Sequence, residues 1–303
     1  MAGQTAAALH FAFGSRAGDA LGIVTYHRVG PHVRGLPAPL CNVTPQRFRE
    51  QLVTLLKAGF TFRPLAEVLE MRSRGDAPPP RSLVLTFDDG FGSVYHHAWP
   101  IMRELGVPGT IFVGTGFLDQ DLPFPFDVWG IAYEGVAPLD SYRPLTLCQC
   151  HEMLADGLVD IGAHTHTHAD FRGRPAAFRE DVQRSVDFVR EHFERKMVTF
   201  AYPFGSPRLG FAGEDLVAAV KQTDAACALT TESALVDTQS DPYSWGRFNA
   251  FSWDTGRTLA AKLGGWYGWA AHAYRRCVEV PPLRALRNQA PADSGPGAEV
   301  DEE

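Results

Sequence analysis

The stretch LVLTFDDG, from Leu83 to Gly90, joins an apolar run directly to two adjacent carboxylates and a glycine. Buried carboxylates are costly, so paired acids at the end of a buried strand indicate chemistry rather than packing. Neighbouring strand side chains point to opposite faces, so Asp88 and Asp89 can serve one site only where the backbone leaves the strand, as Gly90 permits. The stretch therefore predicts a buried strand that ends in two acids with different roles.

The composition predicts a soluble globular protein. Its 303 residues, 45% of them hydrophobic, are enough for a large packed core. A net charge of −7 without a basic block argues against a nucleic-acid surface. No run reaches the length of a membrane span, and the N-terminus lacks the pattern of a secretory signal. We therefore expect a cytoplasmic protein, although a sequence lacking its native leader would look the same.

The five cysteines do not form a recognisable framework. Their number is odd, and the only close pair, Cys148 and Cys150, is spaced too tightly for a usual zinc ribbon. We interpret them as reduced thiols.

Strand and helix patterns alternate along most of the chain. Short β-rich runs are followed by amphipathic helices, and polar residues gather where the predicted strands end. Such alternation predicts an α/β domain with a parallel sheet, whose active site lies at the carboxyl ends of the strands.

A second polar cluster follows the predicted strand at 159–161. It contains His164, His166 and His168, with acids at Asp160 and Asp170. Neutral imidazole is a common ligand of divalent metals, although a single histidine is more often an ordinary hydrogen-bonded residue. Three histidines in five positions favour a metal site, but the spacing does not decide which of them bind.

Combined with the acidic stretch, the histidines match a known pattern. Thr86-Phe-Asp-Asp-Gly90 and His164-Thr-x-x-His168 resemble the first two motifs of the NodB-homology polysaccharide deacetylases, carbohydrate esterase family four. Tyr26-His-Arg-Val29, Val43-Thr-Pro45 and Phe200-Ala-Tyr-Pro-Phe-Gly205 are similar to the exopolysaccharide-deacetylase branch of that family. The resemblance covers roughly residues 20 to 250.

The resemblance implies a fold and a division of labour. The fold would be a single-domain distorted (β/α)7-type barrel with its active site at the carboxyl ends of the strands. Asp89, His164 and His168 would bind a divalent metal, zinc first, with cobalt, nickel or iron as alternatives. Asp88 would be the general base that deprotonates the attacking water. His166, by alternation, would face away and support the others.

Further residues are expected to contact the substrate. The third motif places Tyr202, Pro203 and Phe204 at the site, and the backbone N–H of Tyr202 or a neighbour is a candidate oxyanion contact. Trp129, in a loose match to the family's Asp-x-x-x-Trp motif, is a candidate aromatic side chain for stacking on a sugar face.

The sequence departs from the family at two places. The third motif lacks the arginine that usually holds the catalytic aspartate, and Arg247 is the candidate replacement, the alternative being a surface arginine. The terminal Leu-x-His motif that supplies the general acid is also missing. His272 fits that role poorly because it lies in an apolar C-terminal stripe, whereas His27 follows a predicted strand and is the better candidate.

Four segments are expected along the chain. They are an N-terminal extension (1–19), the deacetylase barrel (20–256), a C-terminal helix (257–287) and a disordered tail (288–303). The apolar stripe of the C-terminal helix is predicted to pack on the barrel, with an interfacial membrane helix as the alternative. Peripheral membrane association thus stays open, and the oligomeric state is not predicted.

The function predicted from these features is metal-dependent removal of an N-acetyl group from an amino sugar, most simply N-acetylglucosamine in a glycan or its precursor. The same chemistry would serve an O-acetyl ester, an N-formyl sugar or a cyclic amide. A catalytically silent glycan-binding protein is the alternative from another class. Retention of both Asp88 and Asp89 argues against it, since a binding protein has no use for an unligated base.

Overall fold

A computed structural model describes residues 4–5, 7–8 and 17–266 of the chain. Strands and helices alternate through most of this region, as the sequence predicts. The strands are β1 (Gly22–Tyr26), β2 (Arg28–Val29), β3 (Asn42–Val43), β4 (Thr61–Phe62), β5 (Ser82–Phe87), β6 (Gly109–Val113), β7 (Val159–Ala163), β8 (Val198–Ala201), β9 (Ala225–Leu229) and β10 (Phe248–Asn249). The α-helices are α1 (Pro45–Lys57), α2 (Leu65–Ser73), α3 (Trp99–Leu105), α4 (Val128–Ala132), α5 (Leu147–Ala155), α6 (Pro175–Phe193), α7 (Glu214–Val220) and α8 (Gly256–Ala261).

Eight of the strands form one curved parallel sheet, and β2 and β3 pair with each other in a separate two-stranded sheet. Seven of them follow the order β10-β1-β5-β6-β7-β8-β9, and β4 pairs with β5 beside this path. Helices cover the outer face of the sheet, so its central strands are buried on both sides. The predicted distorted (β/α)7-type barrel is confirmed.

Strand β5 shows how the sheet carries the site. All six of its residues are buried. Leu85 and Phe87 belong to the cluster packed against the helices, whereas Val84 belongs to the cluster inside the barrel. Because strand side chains alternate with a period of two, Asp88 follows Val84 and Thr86 on the interior face.

Helix α5 has a complete capping box. Thr146 accepts a hydrogen bond from the Gln149 N–H at 3.1 Å, and the Gln149 side chain accepts one from the Thr146 N–H at 3.0 Å. We expect Thr146→Ala to lower the free energy of unfolding by about 1 kcal/mol, because one of these two bonds is lost. Urea denaturation measures the change, and a loss near zero would show that the cap contributes nothing.

The first residues of the C-terminal segment pack on the barrel. Leu259 and Leu263 are buried in the main core. Gly265 has a φ of 81°, so the backbone departs from helical geometry there. The predicted continuation to residue 287, the candidate His272 and the tail 288–303 lie outside the described residues, and the segment boundaries stay predictions.

Two other expectations concern the described part of the chain. Its cysteines, Cys41, Cys148, Cys150 and Cys227, are all free, which confirms the reduced-thiol interpretation for these four. A search of the described helices finds none with the length and apolar character needed to cross a membrane. The predicted cytoplasmic location stays a prediction.

Candidate active site

The Asp88 carboxylate is held by Arg247 inside the barrel. The guanidinium donates two hydrogen bonds, Nη1 to Oδ1 at 2.6 Å and Nη2 to Oδ2 at 2.8 Å. Arg247 is fully buried, and its remaining donors contact the Thr230 carbonyl and the hydroxyls of Thr25 and Thr86. Such two-pronged pairing fixes both the position and the orientation of a carboxylate. The structure thus places Arg247 against Asp88, not on the surface.

This pairing decides the charge of Asp88. Burial raises the pKa of the carboxyl, but the charges of Arg247, His164 and His27 outweigh burial and hold the pKa below its ordinary value. Asp88 is therefore an anion at neutral pH, which is the form that accepts a proton.

Asp89 lies with two of the three predicted histidines. Its Oδ1 atom is 3.4 Å from His164 Nε2 and 3.3 Å from His168 Nε2. All three side chains are nearly inaccessible to solvent. Burial raises the pKa of Asp89, but hydrogen bonding by the two imidazoles and the charge of His27 lower it well below the ordinary value.

The three residues fit a divalent metal. Their ligand atoms lie within 4.8 Å of one another. In a tetrahedral site with metal–ligand distances of about 2.0–2.2 Å, ligand atoms stand about 3.3–3.6 Å apart, which the two Asp89 distances match. His164 Nδ1 lies 2.8 Å from the Ala201 carbonyl, and donation to it leaves Nε2 free as a ligand. Asp89, His164 and His168 thus form a metal-competent group, that is, a group that can hold a metal ion.

His168 is suited to binding in its neutral form. Burial lowers its pKa more than the neighbouring Asp89 raises it, so the neutral imidazole required of a ligand is favoured. Its Nδ1 atom is buried and has no hydrogen-bond partner in the described part of the chain. Phe126 stacks on the ring instead, with centroids 3.8 Å apart and an interplanar angle of 22°.

The histidine loop is built to hold this geometry, and His166 has a supporting place in it. The His166 Nδ1 atom lies 3.0 Å from the Thr115 hydroxyl, away from the other two rings. The backbone N–H of His166 donates to Asp181 Oδ1 at 2.6 Å, and this hydrogen bond joins the loop to α6. The Thr165 hydroxyl accepts a hydrogen bond from the His168 N–H at 2.9 Å.

Strained backbone concentrates at the same place. Asp89, Thr165, His168 and Phe204 have φ values of 70°, 62°, 52° and 60°, in the left-handed region that non-glycine residues seldom adopt. Such conformations persist where the surrounding structure enforces them, which is common at functional sites. At the first motif both Asp89 and Gly90, whose φ is 81°, adopt this conformation, and the turn they make separates the two acids.

The third motif corrects one expectation. The Tyr202 N–H donates to the Leu229 carbonyl at 3.1 Å, and the Tyr202 side chain is fully buried. Pro203 has no N–H, and the Gly205 N–H donates to the Pro203 carbonyl at 2.6 Å. Tyr202 is therefore not the oxyanion donor, because its N–H is consumed by the sheet. Among the described hydrogen bonds, the Phe204 N–H is the one in this motif without an acceptor.

His27 lies next to both acids. It directly follows β1 and is partly exposed, and its charge lowers the pKa of Asp88 and of Asp89. The strand register aligns Tyr26 with Phe87, so His27 and Asp88 are the next residues of two neighbouring strands.

Aromatic residues form a wall beside the metal-competent group. Phe204 is 46% exposed, and its ring meets that of His168 edge-on with centroids 4.9 Å apart. Trp129 is half-buried, and its Nε1 donates to the Pro37 carbonyl at 2.8 Å. The Trp129 ring packs 5.4 Å from the guanidinium carbon of Arg28, which is buried and paired with Asp127. Trp129 thus stands at the outer part of the wall rather than on the ligands.

The sequence did not single out Phe126, Asp127 or Arg28 as site residues. Phe126 stacks on His168, and its neighbour Asp127 pairs with Arg28. Phe126 and Asp127 lie in the aperiodic segment at 116–143. The signal available was composition, since aromatic and proline residues gather in this segment.

Comparisons with known proteins agree with this geometry. The family model described as polysaccharide deacetylase matches residues 75–227, a range that contains Asp88, Asp89, His164 and His168. A poly-beta-1,6-N-acetyl-D-glucosamine N-deacetylase of Staphylococcus epidermidis is 24% identical over 211 residues, which are 67% of this chain and 65% of the relative. The chain thus spans 65% of the length of this curated relative.

Solved structures share the fold. IcaB from Ammonifex degensii superimposes with a TM-score of 0.64 and 25% identity, covering 82% of this chain and 98% of that chain. The Streptococcus pyogenes deacetylase PplD, solved in complex with acetate, gives a TM-score of 0.65 at 20% identity, covering 80% of this chain and 98% of that chain. The similarity to the exopolysaccharide-deacetylase branch is confirmed. With half of the chain matched by the family model and the paired acids and histidines at one rim of the barrel, this protein belongs to the polysaccharide deacetylase family.

Proposed function

We propose that this protein is a hydrolase that removes the N-acetyl group from N-acetylglucosamine units of a glycan. The observation that carries the proposal is the division of the two acids: Asp88 is held by Arg247, and Asp89 lies with two histidines. One rim thus offers a base and a metal-competent group side by side. The name of the staphylococcal relatives supports the choice of N-acetylglucosamine as the substrate unit.

Each residue has a role that follows from its contacts. Asp88 accepts the proton of the attacking water; both of its oxygens accept bonds from Arg247, but each retains another lone pair for a further donor. The Phe204 N–H, which has no acceptor among the described hydrogen bonds, is the candidate donor to the developing oxyanion. His27, which follows β1 beside the strand that carries Asp88, is the candidate to deliver a proton to the departing amine.

Asp89, His164 and His168 would hold a divalent metal, for which we propose zinc, with cobalt, nickel or iron as alternatives. When bound, such an ion supplies Lewis acidity that polarises the acetyl carbonyl and makes water easier to deprotonate. Arg247 keeps Asp88 out of this set by engaging both of its oxygens, so that one acid binds and the other moves protons.

The silent glycan-binding alternative loses one of its supports. A deacetylase without the arginine of the third motif would lack a partner for its catalytic aspartate, but here Arg247 makes the contact that this arginine would make.

The proposal is tested by Asp88→Asn. We expect this variant to deacetylate oligomers of N-acetylglucosamine about 10²–10⁴-fold more slowly than the wild type, because the amide cannot accept the proton. Metal content, measured by elemental analysis after loading with zinc or cobalt, should be unchanged, since Asp88 is not among the proposed ligands.

A matched change at an exposed acid, Asp76→Asn, should alter neither the rate of deacetylation nor the metal content. Equal activity of Asp88→Asn and the wild type would remove Asp88 from the role of base. An inactive wild type that binds metal and glycan would favour the silent glycan-binding protein.

A further inference from the structure

An exposed aromatic pair stands on the rim of the barrel away from the metal-competent group. Trp253 is 73% exposed, and its ring stacks on that of Phe251 with centroids 4.5 Å apart and an interplanar angle of 10°. Phe251 is partly buried beneath it. One indole face is therefore supported by the protein and the remaining ring surface meets solvent, the arrangement of an aromatic platform.

A buried carboxylate fixes the turn that carries this pair. Asp254 is 3% exposed, and its Oδ2 accepts hydrogen bonds from the Phe251 N–H at 3.0 Å and from Lys262 Nζ at 2.7 Å. Its other oxygen lies 3.3 Å from the Thr258 hydroxyl. Because a buried carboxylate is stable only when fully bonded, these contacts hold the turn in one conformation.

A second buried side chain connects the turn to β1. Gln51 donates from Nε2 to the Asp254 carbonyl at 2.7 Å and to the Phe251 carbonyl at 3.3 Å. Its Oε1 accepts a hydrogen bond from the Tyr26 hydroxyl at 2.9 Å. Tyr26 is the last residue of β1 and immediately precedes His27. The platform is thus rigidly attached to the strand that enters the site.

The sheet register gives the distance to the site. Asn249 of β10 aligns with Thr25 of β1, and Thr25 aligns with Thr86 of β5. Phe251, His27 and Asp88 each lie two residues beyond their member of that row. Neighbouring strands are about 4.8 Å apart, so the backbone of Phe251, which supports the platform, lies about two strand spacings, on the order of 10 Å, from that of Asp88. That separation is on the scale of neighbouring sugars in a chain.

We propose that Trp253, supported by Phe251, is a stacking subsite for a sugar of the glycan chain near the one being deacetylated. The flat apolar face of a pyranose, which presents C–H groups, fits an exposed indole, and a neutral sugar requires no ion partner there. The ligand class is accordingly an oligomer or polymer of N-acetylglucosamine rather than the free monosaccharide. This inference rests on the proposed deacetylase function and adds a preference for long substrates.

The test compares Trp253→Ala with the wild type on two substrates. A pentamer of N-acetylglucosamine spans the platform and the catalytic site, whereas a fluorogenic aryl acetate occupies the catalytic site alone. We expect Trp253→Ala to lower kcat/KM for the pentamer about 3- to 10-fold, mainly through KM, and to leave hydrolysis of the aryl acetate unchanged.

Two further variants serve as controls. Trp253→Phe retains a stacking face and should keep most of the pentamer activity. Val136→Ala removes an exposed apolar side chain (70% exposed) elsewhere and should change neither substrate. An unchanged kcat/KM for the pentamer, or an equal loss on both substrates, would overturn the subsite.

Binding separates this inference from the proposed function. Calorimetry of the pentamer with Asp88→Asn and with the Asp88→Asn/Trp253→Ala double variant reports the subsite without turnover. A weaker affinity in the double variant would support the subsite even if the wild type deacetylates nothing, whereas equal affinities would overturn it. If Trp253→Ala lost binding to anionic lipid vesicles but kept its affinity for the pentamer, the subsite would also be overturned.

Discussion

Replacing Arg247 with methionine is expected to destabilise the protein by about 3–5 kcal/mol and to abolish deacetylation. Removing one member of a buried ion pair leaves the other charge without compensation, and that penalty exceeds the value of the pair itself. Here the charge left behind is Asp88, which is 2% exposed and, among the described residues, has no other cationic side chain bonded to it. Activity should fall with stability because Asp88 loses both the partner that orients it and the charge that keeps it ionised.

Denaturation of four proteins tests the pairing directly. Wild type, Arg247→Met, Asp88→Asn and the double variant form a double-mutant cycle. Each single change leaves one buried charged group unpaired, whereas the double change removes both charges. We therefore expect the double variant to be more stable than the sum of the single losses implies. Additive losses would show that Arg247 and Asp88 do not stabilise one another.

The pH dependence of the free energy of unfolding tests the same ion pair independently. In the wild type the pKa of Asp88 is lowered, so the contribution of the pair is present above the unfolded pKa of about 3.9 and is lost as pH falls through the lowered value. Without Arg247, burial is the largest influence and raises the pKa, so the variant should gain stability as pH falls. The difference in free energy of unfolding between the wild type and Arg247→Met, measured on metal-free proteins, should become smaller from pH 7 towards pH 4.

Arg247 also marks what a sequence can and cannot predict about this protein. The apolar run of β5 and the acids that follow it are neighbours in the chain, so local periodicity was enough to predict the strand and its carboxyl end. Arg247 lies 159 residues from Asp88, and they meet because β10 pairs with β1, which pairs with β5. Strand periodicity contains no information about that order.

The choice of Tyr202 as the oxyanion donor of the third motif was wrong for a related reason, whereas its neighbour Phe204 remains a candidate. Whether a backbone N–H is available for a substrate depends on whether the sheet has used it, and the Tyr202 N–H is used by Leu229 of the neighbouring strand β9. The position of Phe126 against His168 was equally inaccessible, because an aperiodic segment gives no register from which to place a ring. Family resemblance supplied the residue types of the site, and the three-dimensional structure supplied their partners.

Removing His164 is expected to remove the metal, while removing His166 is not. His164 Nε2 lies 3.4 Å from Asp89 Oδ1 in the metal-competent group, whereas His166 Nδ1 lies 3.0 Å from the Thr115 hydroxyl. Changes in residues that only orient ligands typically cost about 10–100-fold in affinity. We expect His164→Ala, which deletes a ligand itself, to lose more than about 100-fold in zinc affinity and all measurable deacetylation.

The two histidines make a matched pair because they share one loop. They differ by two positions and carry the same side chain, although His164 is buried and His166 is partly exposed. Equilibrium dialysis against zinc compares the two variants with the wild type, and thermal unfolding with EDTA present checks that both still fold. Retained zinc in His164→Ala would contradict the ligand set, and loss of zinc in His166→Ala alone would exchange the roles of the two side chains. If only His164→Ala loses zinc, the ligand set of Asp89, His164 and His168 stands. Asp88, paired with Arg247, is then the acid that remains free to accept protons.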